Sequence, residues 1–138
     1  MPAIQKSLRF PSETLEEINR MSKETGRDFT SMTMDLLNEA IKTRRCPGVV
    51  FVEGVTGRRA RIAGTGIEIW EVLANYISLG KNFNRLKKTY DWISPEQLRA
   101  ALGYYATFPE EIDHLINQNA DWNPDKIKER HPLLTALK

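Results

Sequence analysis

The chain of 138 residues has room for one ordinary domain or two very small ones. Its apolar share of 41% argues for a folded protein, and 20 basic against 18 acidic residues leave a formal charge of only +2. Nucleic-acid binding is permitted by that balance but not demanded, and any basic surface must be local.

Cys46 is the sole cysteine, so an internal disulfide and a thiolate metal cluster within one chain are excluded. A reducing compartment follows as the natural expectation. No basic leader precedes an apolar run, and no window of about 20 apolar residues occurs. A cytoplasmic protein that does not bind a membrane is expected.

Residues 4 to 10 alternate, with Ile4, Lys6, Leu8 and Phe10 on one side and Gln5, Ser7 and Arg9 on the other. This pattern predicts a short strand, which cannot be stable alone and would have to pair with its copy in a dimer. Gln5, Ser7 and Arg9 would then project together as donors and acceptors for base edges in a major groove. The ordinary solvated side of a surface strand has the same composition.

Pro11 stops the strand, and Ser12 or Thr14 can cap a helix over Ser12 to Thr25, with Leu15, Ile18 and Met21 or Ser22 inward. Gly26 suits a left-handed helix end. A second helix starts at Phe29 and Thr30, capped by Thr30 or Ser31, with Met32, Thr33, Leu36, Leu37, Ala40 and Ile41 as its buried side. Free amides near Thr30 and Ser31 would suit a DNA phosphate. The cations Lys42, Arg44 and Arg45 sit well near the carbonyl end of that helix. Arg44 and Arg45 are secondary candidates for DNA, or simply a helix end and linker.

The stretches S-L-R-F-P, Ser7 to Pro11, and G-R-D-F-T-S, Gly26 to Ser31, resemble the ribbon-helix-helix family of Arc-like repressors and bacterial antitoxins. The resemblance spans roughly residues 3 to 44. It implies an intertwined homodimer that reads double-stranded operator DNA with Gln5, Ser7 and Arg9. Lys6 departs from the family pattern, its stem expected to snorkel while its ammonium reaches water or phosphate.

Cys46, Pro47 and Gly48 interrupt the helical period and mark a boundary. Val49 to Val52 and Arg59 to Ile62 read as a hairpin across a turn from Gly54 to Gly57. Gly64, Thr65 and Gly66 precede a helix over Ile67 to Leu79, in which Ile69, Trp70, Leu73, Tyr76 and Ile77 recur at helical spacing. A short helix over residues 82 to 89 turns Phe83 and Leu86 inward and Arg85, Lys87 and Lys88 outward. Ser94, Pro95 and Gln97 spell a capping box for the next helix, and the last runs from Pro109 to about Asn117. Arg58, Arg59 and Arg61, with Arg85, Lys87 and Lys88, are either further phosphate contacts or solvated faces.

The segments G-T-G-I-E-I, Gly64 to Ile69, and A-L-G-Y-Y, Ala101 to Tyr105, carry a second resemblance. They are similar to a small bacterial domain of uncharacterised function with a G-T-R-I-P-V segment, three helices and an A-L-x-Y-Y ending. S-P-E-Q-L-R, Ser94 to Arg99, stands at the start of its late helix, and coverage is about residues 50 to 113. Gly66 and Glu68 replace the family's arginine and proline. Members are commonly encoded beside a PIN-like nuclease toxin and regarded as antitoxins, so the resemblance implies such a partner.

Chemistry is not expected. Gly64-Thr65-Gly66 lacks the spacing of a phosphate-cradling loop. Glu110, Glu111, Asp113 and His114 are better read as an acidic helix start than as metal ligands. No catalytic residue, metal or cofactor is assigned. Beyond Asn119, Trp122, Ile127, Leu133, Leu134 and Leu137 either fold back or bind a partner.

The expected architecture is α+β and mostly helical. It comprises a ribbon-helix-helix unit over 1–45, a helix-turn-helix-like domain with a β-hairpin over 46–119, and a tail over 120–138. The expected function is an antitoxin that represses its own operon as a dimer, or a larger assembly, and neutralises a toxin. A dimeric repressor without a toxin and a protein-interaction module without DNA binding are the alternatives.

Overall fold

The structure is a computed structural model that describes residues 3–54 and 57–120. The described chain is mostly helical with one short antiparallel hairpin. The helices α1 (Ser12–Thr25) and α2 (Phe29–Arg45) precede the strands β1 (Val49–Gly54) and β2 (Gly57–Ile62). The helices α3 (Ile69–Ser78), α4 (Phe83–Thr89), α5 (Pro95–Thr107) and α6 (Pro109–Gln118) follow. Two compact units divide the chain, Met1–Arg44 and Arg45–Lys138. No helix among the described residues is long and apolar enough to cross a membrane.

This order overturns the ribbon-helix-helix reading. That fold runs strand, helix, helix, whereas here two helices stand before the hairpin and residues 3–10 form no strand. The physical reason is the ladder. An extended segment becomes a strand only when its N–H and C=O groups meet a partner edge, and among the described residues the only ladder joins β1 to β2. Alternation in residues 4 to 10 therefore buries neither side. Ile4 is 89% and Leu8 68% exposed, and Gln5, Lys6, Ser7 and Arg9 are exposed with them. Groove reading by a paired ribbon falls with the strand.

In the first unit Pro11 leads into α1 without a side-chain cap, its carbonyl accepting from Leu15 at 3.0 Å, so neither Ser12 nor Thr14 plays that part. Gly26 closes α1 in the left-handed conformation at φ 74°. The expected apolar stripes form only in part. Ile18 and Met32 are buried, while Leu15, Leu37, Ala40 and Ile41 remain exposed. Phe10 packs edge-on to Phe29 with ring centroids 5.8 Å apart, anchoring the leading segment to α2.

The second unit has a core of its own. Along the hairpin Val49 pairs with Ile62 and Phe51 with Ala60, so alternation turns these four to one face. That face packs against α3 and α5 and shares one buried cluster with Ile69, Val72 and Leu73 of α3, Leu86 of α4, Leu98, Ala101 and Tyr104 of α5, and Ile112 of α6. The linking segment after β2 is tied by Thr65, whose hydroxyl donates to the Ile62 carbonyl at 2.9 Å and accepts from the Ile67 amide at 3.1 Å. Ser94 and Gln97 form the expected reciprocal capping box at the start of α5.

Candidate functional site

Three surface features stand out among the described residues. The first is an open groove of about 310 Å³ in the first unit, lined by Leu8, Phe10, Ile18, Met21, Leu36 and Leu37 with few polar neighbours. It lies between the leading segment and the two helices.

The second is a cation–aromatic face on α4 and α5. The Phe83 ring takes the Lys87 ammonium 5.5 Å from its centroid and the Arg99 guanidinium at 5.3 Å. Asn82 caps α4 by accepting from the Arg85 amide at 3.1 Å, which sets Arg85, Lys87 and Lys88 around a short helix. Trp92, in the link to α5, is 68% exposed and rests edge-on against Tyr90 at 5.5 Å. An exposed indole of that size is a natural anchor for a macromolecular contact.

The third is a polar recess of about 410 Å³ lined by Arg59, Glu68, Trp70, Gln118 and Asn119. Arg59 and Glu68 pair at 3.8 Å, each largely withdrawn from water. The neighbouring Glu71 carboxyl is held above its ordinary range, chiefly by burial and then by the Glu68 charge, with Arg61 opposing. Arg61 Nε is buried without a hydrogen-bond partner among the described residues.

The residues singled out from the sequence are distributed among these features. At the start of α2 the Ser31 amide donates to the Asp28 carboxylate at 2.8 Å, and the Ser31 hydroxyl reaches the same carboxylate at 3.3 Å. The cap is therefore Asp28, not Thr30 or Ser31. Its charge occupies the place where a phosphate was expected, and these hydrogen bonds hold the Asp28 carboxyl below its ordinary range. The D-F-T-S run held the signal, since aspartate just before a periodic stretch is a strong capping residue.

Arg44 and Arg45 are exposed at the end of α2, and the Arg45 guanidinium lies 5.3 Å from the Phe108 ring centroid. On the hairpin, Arg58 pairs with Glu53 at 3.6 Å and donates to the Phe51 carbonyl at 3.0 Å. Arg58 and Arg59 thus make ion pairs within their own unit. Arg85 and Lys88 are exposed, and Lys87 is half-buried against Phe83. Trp92 and Arg99 were not singled out, because helical periodicity is silent about a residue between two helices and about which neighbour a cation covers. The tail candidates Trp122, Ile127, Leu133, Leu134 and Leu137 lie outside the described residues.

No curated protein and no solved structure matches the chain. Residues 49–105, from β1 into α5, match a family described as a protein of unknown function, DUF433.

Proposed function

We propose that this protein acts by binding another protein, and that the partner is a toxin whose activity it blocks by occlusion. The observation that carries the reading is the contrast between the two units. The unit from Arg45 onward closes a core around Leu86, Leu98, Tyr104 and Ile112, whereas among the described residues of Met1–Arg44 the buried side chains are Ile18 and Met32, and the apolar groove is open. A unit that small gains stability from association, and open apolar surface on a folded chain marks a contact site. The second unit adds Trp92 and the cations about Phe83, a combination suited to an acidic protein surface.

A toxin as the partner is supported by the likeness of Gly64–Ile69 and Ala101–Tyr105 to a domain found beside PIN-like nucleases. The test is expression of the neighbouring gene product, alone and with this chain. Growth arrest by that product alone, relieved by co-expression and accompanied by co-purification, is the expected result. A harmless neighbour, or arrest that the full chain does not relieve, overturns the toxin as partner.

A further inference from the structure

We infer that the groove between α4 and the start of α5 seats a short acidic segment of a partner protein, one that carries an aliphatic side chain among its carboxylates. The inference rests on the reading that this protein acts by binding another protein, and it requires no toxin. The groove measures about 570 Å³, within the roughly 300–1,000 Å³ typical of ligand clefts. Asn84, Lys87 and Lys88 of α4 line it, with Asp91 and Ile93 of the linking segment and Pro95 at the head of α5.

Charge sets the sign of the occupant. Arg20, Arg27, Arg58, Arg59 and Arg99 each have a carboxylate within 4.0 Å, whereas among the described residues Arg85, Lys87 and Lys88 form no ion pair. The Lys87 ammonium and the Arg99 guanidinium both lie within 5.5 Å of the Phe83 ring centroid, so like charges gather there. Arg99 has Glu96 to offset it, and Lys87 has no such neighbour. A carboxylate from outside supplies the missing opposite charge.

Polarity sets its class. Ile93 is 4% exposed and, with Pro95, gives the groove an apolar side suited to an aliphatic side chain. Asp91 lines the same groove without an ion pair among the described residues, and it can accept from the backbone N–H of an extended segment. A phosphate backbone offers Asp91 no such donor and is repelled by it. Lysine ammoniums are point charges that meet single carboxylates without a fork. Trp92 follows Asp91 and is 68% exposed, which puts a large aromatic surface one residue from the groove lining.

The test uses the full chain and a short fluorescein-labelled peptide of alternating glutamate and leucine, read by fluorescence anisotropy, beside a lysine–leucine peptide of the same length. Only the acidic peptide is expected to bind, and more weakly as salt rises. Lys88→Glu should weaken it by roughly tenfold or more. Lys23→Glu, an equal change of charge on α1 of the other unit, should leave binding as in the wild-type chain. Should Lys88→Glu lose its helical signal, Lys88→Gln provides the same reading with a smaller loss. Absence of binding, equal binding of both peptides, or a loss as large from Lys23→Glu overturns the inference. So does a double-stranded oligonucleotide or a phosphatidylglycerol vesicle that binds more tightly than the peptide and depends on Lys88. A peptide that binds while the neighbouring gene product proves harmless removes the toxin and leaves the groove. Relief of arrest by a chain that ignores the peptide does the reverse.

Discussion

The Tyr104 hydroxyl donates to the Glu111 carboxylate, joining the end of α5 to the first turn of α6. Tyr104 is fully buried, and its ring meets Phe51 of β1 at 6.3 Å and Phe108 at 5.1 Å. One side chain thus ties hairpin, α5 and α6 together and uses its polar tip to do so. Tyr105, next along α5, reaches Asp113 at 2.7 Å. Two acids of α6, Glu111 and Asp113, are thus engaged by phenols.

Removing only the Tyr104 hydroxyl should destabilise the second unit. Tyr104→Phe leaves the ring packing and is expected to cost about 1–3 kcal/mol, because Glu111 loses a donor in a half-buried setting. Tyr104→Ala also opens a cavity and should cost about 3–5 kcal/mol. Urea denaturation distinguishes the two; equal losses would mean that the hydroxyl contributes nothing beyond the ring.

Alkaline pH should act through the same residue. Burial first, then the hydrogen bond to Glu111 and its charge, push the Tyr104 phenol well above its ordinary value of 10.0. A folded-state value above the unfolded one contributes stability that is complete below pH 10 and declines as pH rises beyond it. Denaturation midpoints measured across that range should fall for the wild-type chain and fall less steeply for Tyr104→Phe.

The opposite sign applies to Asp28. Its hydrogen bonds from Ser31, backbone before side chain, lower the carboxyl value, so its cap is formed above the ordinary carboxylate range and lost as pH falls through the lowered value. Circular dichroism should show a small loss of helix on acidification, centred below pH 3.8. Asp28→Ala should show that loss at neutral pH, and Asp28→Asn should largely retain the cap while losing its acid dependence.

At α5 the cap is reciprocal, the Gln97 amide donating to Ser94 Oγ at 3.1 Å and the Ser94 amide to Gln97 Oε1 at 2.9 Å. Ser94→Ala is expected to cost about 1 kcal/mol. Gln97→Ala also removes a bond to the Ala63 carbonyl at 3.3 Å, so its loss should be at least as large. Thermal unfolding of both variants checks the order.

Two glycine substitutions should differ in sign. Gly48 has φ 92°, and a Cβ there would stand 3.2 Å from the Ala100 Cβ, so Gly48→Ala should destabilise by about 1–3 kcal/mol. Gly103 lies within α5 with nothing within 4 Å of an added Cβ. Gly103→Ala should stabilise by about 0.5–1 kcal/mol through helix propensity. Calorimetry showing equal shifts would discard the account of Gly48.

Local patterns were enough for the helices and the hairpin. Period, glycine and proline placed α1 through α6 to within a few residues, and the S-P-E-Q run stated its own cap. They were enough because these features depend on neighbours within about four positions. The surfaces were another matter. Trp92 and Ile77 look like core residues in a string of letters, yet each lies outside the packed cluster.

What the chain alone determined, then, is where it coils and where it turns. The tertiary structure decided which apolar faces are covered, that Asp28 rather than Thr30 or Ser31 caps α2, and that residues 3–10 form no strand. Helical hydrogen bonds close within one segment, so a short stretch contains its own answer. A strand edge or a buried face is completed by residues far along the chain, and no alternation of letters supplies them.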